Sequence, residues 1–168
     1  MQKKINKLGN LCFWIALIIE CVIVMIDKSA YTNPWEGQLF RLTFLLFCIK
    51  VITTRYSKKE WIVIAIVGVL VSISYLVNDK DEVVRAAVFV ISCKNMDVKK
   101  ILKVVLGITL AGSVILFVLA ASGTFGAMTM TANFGRGPFP GIVETRYCFG
   151  MGHPNAFQCM VYMMIVLF

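Results

Sequence analysis

Charge is scarce in this sequence. Asp, Glu, Lys and Arg together make 15% of the 168 residues, against about 25% in soluble domains. A soluble domain of this length cannot bury a chain that is 59% hydrophobic. Histidine is scarcer still, with His153 alone. No CxxC pair occurs among the six cysteines. The two absences together exclude a zinc constellation, and no metal or cofactor is expected. Cys12, Cys21, Cys48, Cys93, Cys148 and Cys159 lie mostly within or beside apolar runs, where cysteine acts as a small hydrophobe. A Cys148–Cys159 disulfide is disfavoured, because Cys159 is expected inside a helix. Acidic residues are outnumbered nine to seventeen by basic ones, for a net charge of +8. The basic residues gather at the ends of apolar runs, which fits membrane topology and not nucleic-acid binding.

The abundant apolar residues come in blocks separated by polar stretches, the signature of membrane-crossing helices. The runs cover 11–26, 39–54, 61–77, 83–93, 101–121 and 155–168. Trp61 to Val77 is rich in Val and Ile, but an isolated strand in lipid leaves its backbone unpaired, so a helix is expected. The eleven-residue run Val83–Cys93 covers only about 16 Å of a core about 30 Å thick. It reads as a short, buried span or a re-entrant piece, and counts as a span because Lys94, Lys99, Lys100 and Lys103 would otherwise fall on the wrong side. The first run competes with a cleaved signal peptide. Asp27-Lys28-Ser29-Ala30 is a poor cleavage site, so an uncleaved helix is expected. The last run reaches Phe168 without a closing charge or turn, and a truncated chain is expected. Gly107 and Ala111 form a weak small-xxx-small packing signal.

With the N-terminus cytoplasmic and every run crossing, eleven of the seventeen basic residues sit at inner helix ends. The fold expected is therefore all-α, a polytopic transmembrane bundle of about six spans. The stretch 122–154 then lies outside as a loop. It holds seven of the twelve glycines and three of the four prolines and reads as irregular backbone.

Chemistry concentrates where that loop ends, in Glu144-Thr145-Arg146-Tyr147-Cys148-Phe149-Gly150-Met151-Gly152-His153-Pro154-Asn155. Pro154 suits the first position of a helix, which puts His153 at its cap. An arginine beside a helix N-terminus suits an anion such as phosphate. A neutral imidazole there can take a proton from a sugar hydroxyl. The plainer readings stay open: His153 as a helix cap, Arg146 as a headgroup anchor, Glu144 as a solvated acid or a partner of Arg146. Gly150-Met151-Gly152 lacks the third glycine and the preceding strand of a dinucleotide fingerprint. Glu20 lies inside the first run, where an ionisable group is costly, and Arg41 is a feasible partner. Glu20 is either a structural ion pair or the centre of a transporter. Lys50 is expected to snorkel to the inner surface.

The run from Arg146 to Asn155 resembles a motif of Wzy-type polysaccharide polymerases and the related O-antigen ligases: an arginine, an aromatic-glycine pair, then His-Pro-Asn opening a helix. Lys94 to Lys103 looks like their cytoplasmic link into a long span. The resemblance covers the first part of such a protein, without its later large external loop. It implies a GT-C-like membrane glycosyltransferase in the bacterial cytoplasmic membrane. The enzyme would pass a glycan from undecaprenyl pyrophosphate to a lipid-linked acceptor on the outer face. Arg146 and His153 would be catalytic, and Arg146, Tyr147, Asn155 and Arg136 would bind substrate. Partners implied are lipid-linked oligosaccharide, membrane lipids, and the flippase and chain-length regulator of the same pathway. An isolated fragment is expected to be inactive. A transporter or accessory export subunit, or a remnant of a broken gene, is the competing expectation.

Overall fold

A computed structural model describes residues 2–133 and 143–168. Among them the chain is mostly helical, with six helices and one two-stranded sheet. In order these are α1 (Gln2–Asp27), α2 (Glu36–Thr53), α3 (Lys58–Asn78), α4 (Glu82–Ser92), α5 (Val98–Ala121), β1 (Thr129–Ala132), β2 (Glu144–Tyr147) and α6 (Pro154–Leu167). The helical expectation holds in outline, and the irregular-backbone reading of 122–154 is corrected by the β1–β2 hairpin that falls inside it. Lys4–Asp27, α3 and α5 are each long and apolar enough to cross a membrane.

Local chemistry explains the helix ends. Ser57 caps α3 in a reciprocal capping box with Glu60, and Asp79 closes it in the left-handed region at φ 52°. Asp97 Oδ1 accepts the Lys99 and Lys100 amides at 3.0 and 3.3 Å and opens α5. Gly123 ends α5 at φ 71°. Its amide bonds Ala120 O, and the Thr124 amide bonds Leu119 O, both at 3.1 Å. This is the paired closure that a left-handed glycine allows.

The contacts divide the chain into two compact units. The first combines residues 1–20 with 37–101. At its centre Phe13 of α1, Phe47 of α2 and Phe89 of α4 meet with ring centroids 5.4–6.1 Å apart. Phe13 and Phe47 are buried. Lys50 is also buried, and its Nζ donates to Asn10 Oδ1 at 2.6 Å. Lys50 therefore turns inward to a partner on α1 and does not snorkel. Lys94 Nζ reaches both Glu60 carboxylate oxygens, at 2.6 and 2.5 Å, and lies 4.6 Å from the centre of the Tyr56 ring. No residue of α3 is buried, and Ile66, Leu70 and Leu76 are among its exposed apolar side chains.

The second unit combines 21–36 with 102–168. Met25, Met151 and Met160 form its buried cluster, with Leu116 and Phe157 against it. The close helix contact expected at Gly107 occurs instead at Gly112. A Cβ at Gly107 would meet nothing within 4 Å, whereas one at Gly112 would lie 2.9 Å from Met25 Cε.

Candidate functional site

The second unit carries the residues singled out around the lone histidine. β1 and β2 pair antiparallel, with Met130 opposite Arg146 and Ala132 opposite Glu144. Thr131 and Thr145, directly opposed, share a hydroxyl hydrogen bond of 2.8 Å. Side chains two apart on a strand share a face. Glu144 and Arg146 therefore stand side by side, and Arg146 Nε and Nη2 both donate to Glu144 Oε2, the Nε bond at 2.9 Å. Arg146 is the more sheltered of the two, at 23% side-chain exposure against 37%. Glu144 is thus the arginine's partner.

Between β2 and α6 the chain turns through an elbow, 148–152, whose backbone N–H groups are all engaged. The Cys148 and Phe149 amides bond Met128 O at 2.8 and 3.2 Å, and the Gly150 amide bonds Ala127 O at 2.9 Å. The Met151 amide bonds Cys148 O at 3.0 Å, and the Gly152 amide bonds Lys28 O at 2.9 Å. Gly150 has φ 85°, and a Cβ there would meet Leu116 O at 2.2 Å. A Cβ at Gly152 would meet Ser29 O at 2.5 Å. These two glycines let the elbow press against α5 on one side and the 28–30 turn on the other. Phe149, at φ 50°, adopts the left-handed region without being glycine. That conformation costs about 1–2 kcal/mol and is held by ring packing. Phe149 stacks on Tyr147 at 5.4 Å, approaches Phe117 at 6.0 Å and meets Phe157 of α6 at 4.6 Å.

His153 is the N-cap of α6, in extended backbone with Pro154 following at the first helical position. Its Nδ1 accepts the Asn155 amide at 3.1 Å. A neutral imidazole accepting at Nδ1 carries its proton on Nε2. In this tautomer the far side of the ring is a hydrogen-bond donor. Asn155 lies in the first turn of α6. Tyr147 is exposed, and Cys148 is buried. Burial pushes the Cys148 thiol up, so it stays protonated at neutral pH. Arg136 lies outside the described residues.

The structure thus joins Arg146 and Tyr147 on one strand and places His153 and Asn155 at the start of the following helix. The Tyr147–Phe149–Phe157 stack ties the two places together. The stack was not anticipated, although aromatics at 147, 149 and 157 were its visible signal.

The other ionisable cluster lies in the first unit. Glu20 Oε1 accepts from Arg85 Nη2 at 3.0 Å, and Glu20 Oε2 accepts from Thr43 Oγ1 at 2.5 Å. The Arg85 guanidinium also lies 3.6 Å from the centre of the Phe40 ring. The expected Arg41 pairing is corrected: the partner is Arg85, which approaches from α4.

Comparison of the chain with protein-family models, with curated proteins and with solved structures found no match.

Proposed function

We propose that the chain is part of a polytopic membrane glycosyltransferase of the polysaccharide polymerase class. On this reading it lies in the bacterial cytoplasmic membrane with about six spans, a cytoplasmic N-terminus and a GT-C-like arrangement. Membrane embedding is supported by α3, which is predominantly apolar from Trp61 to Val77 and buries nothing within the protein. Such a face needs lipid or other protein against it.

The observation that carries the catalytic reading is the ring stack. It couples Arg146, one residue before Tyr147, to the first turns of α6 through a strained, fully hydrogen-bonded elbow. Non-glycine residues in the left-handed region persist where surroundings enforce them, and such strain gathers at working sites. In the proposed reaction the acceptor hydroxyl oxygen attacks the anomeric carbon of the donor glycan. The bond from that carbon to the pyrophosphate oxygen breaks, and the pyrophosphate departs with the electron pair. Arg146 stabilises the charge that develops there. The hydroxyl proton passes to solvent. His153 keeps α6 capped, and its Nε2–H orients the acceptor oxygen. Tyr147, Asn155 and Arg136 remain the proposed substrate contacts.

The transporter reading has less support, because Glu20 already holds a countercharge and a hydroxyl donor. The test is Arg146→Ala in the chromosomal copy, with envelope polysaccharide resolved by length. The expected result is loss of polymer beyond single repeat units at an unchanged level of membrane-inserted protein. Polymer of ordinary length would remove Arg146 from the mechanism.

A further inference from the structure

A cleft of about 480 Å³ opens in the first unit where α2 begins, α3 ends and α4 begins. Its walls are apolar, formed in part by Phe44, Leu45, Tyr75 and Val84. Leu76 and Val77, the next residues along α3, are 80% and 75% exposed. They lie on other faces of α3 than Tyr75, so apolar side chains surround this end of the helix, and the cleft's own walls are what a hydrocarbon chain lying in it would require.

The polar lining decides what head that chain carries. Arg85 lines the cleft but is neutralised by Glu20 at 3.0 Å. Asp81 also lines it, lies 3.9 Å from Arg85 and is 63% exposed. Arg41 lines it and makes no ion pair among the described residues. The two guanidiniums and two carboxylates cancel, so the cleft offers no net attraction to an anionic head. Among the described residues it offers one cation without a countercharge and one weakly engaged carboxylate, which match the phosphate and ammonium of a zwitterion. Asp81 is the N-cap residue of α4 and Arg41 lies in the second turn of α2, near the helix ends that the proposed topology sets beside the headgroups.

We propose that this cleft is a binding site for an ethanolamine phospholipid, with the phosphate on Arg41, the ammonium on Asp81 and an acyl chain along Phe44 and Tyr75. A primary ammonium donates three hydrogen bonds, whereas the trimethylated head of a choline lipid donates none. The cleft therefore favours ethanolamine over choline. The site requires that the chain meet lipid and does not depend on the transferase reading.

The test is native mass spectrometry of the full chain released from nanodiscs of ethanolamine, choline and glycerol phospholipids in equal proportion. The wild-type chain is expected to retain the ethanolamine lipid over the choline lipid by about fivefold, the yield of one partly exposed ionic hydrogen bond. Stepwise N-methylation of the headgroup should reduce retention in order, with no substitution in the protein. Asp81→Asn should erase the preference. It removes no helix cap, since the Asp81 side chain makes no capping bond. Arg41→Gln should weaken retention of all three lipids. Equal retention of ethanolamine and choline lipids by the wild-type chain overturns the proposal. So does an unchanged preference in Asp81→Asn, or a glycerol lipid held above the ethanolamine one.

Discussion

Glu20 and Arg85 meet at 3.0 Å although 65 residues separate them in the chain. Thr43 fills the second carboxylate oxygen and Phe40 lies beneath the guanidinium. Three helices thus share one ion pair, whose side chains are each 25% exposed. Removing either charge strands the other in a sheltered place. Glu20→Gln and Arg85→Met are each expected to lower stability by about 1–3 kcal/mol. The double variant should cost less than the two singles together, by a coupling of about 0.5–3 kcal/mol. Reversible unfolding in detergent measures all three, and strictly additive losses would show that the pair contributes nothing of its own.

The elbow glycines should be far less tolerant than Gly68 and Gly107, which stand in open helix faces. Gly150→Ala sets a Cβ against Leu116 O in a left-handed backbone, and Gly152→Ala sets one against Ser29 O. Each should lower stability by about 2 kcal/mol or more. Gly68→Ala and Gly107→Ala meet open space in helices and should be neutral or stabilising by up to about 1 kcal/mol. Thermal unfolding of the four variants in one detergent provides the comparison.

Capping and proton transfer by His153 separate through one substitution. His153→Asn keeps a side-chain acceptor for the Asn155 amide, while His153→Ala removes it at a cost of about 0.5–2 kcal/mol. Because the cap engages Nδ1 while Nε2–H orients the acceptor, His153→Asn should retain stability and lower polymer synthesis without abolishing it. A stable His153→Asn chain that makes no polymer would return the histidine to the role of base.

Glu144 tests whether Arg146 acts on an anion or serves only as one half of an ion pair. If the arginine holds pyrophosphate, Glu144→Gln should leave polymer synthesis in place while Arg146→Ala abolishes it. If the pair is only a strut of the hairpin, the two variants should behave alike. Polymer length profiles of both strains distinguish the cases.

The apolar runs made the helices legible because a long nonpolar segment pairs its backbone groups within itself only as a helix. Trp61–Val77 lies within α3, which begins three residues earlier at Lys58 because the Ser57–Glu60 capping box starts it there. The start of α1 was less legible. Lys4 and Lys7 continue the helix without any apolar signal. The hairpin was obscured by the glycines and prolines around it, although Thr129-Met130-Thr131 and Thr145-Arg146-Tyr147 carry β-forming residues. Arg85 as the partner of Glu20 could not be read at all, because a single sequence does not reveal which distant helices touch. At the candidate site, capping by His153 followed from the His-Pro order. The roles of Gly150 and Gly152 required their neighbours, Leu116 and Ser29, to be seen.

The central claim is that the hairpin and elbow face away from the cytosol. Val143 and Thr145 are exposed positions beside Arg146. Val143→Cys and Thr145→Cys, in a chain whose native cysteines are replaced by serine, can be treated with a membrane-impermeant maleimide in intact cells. The account predicts labelling of both without lysis. Labelling that appears only after the cells are broken would contradict it.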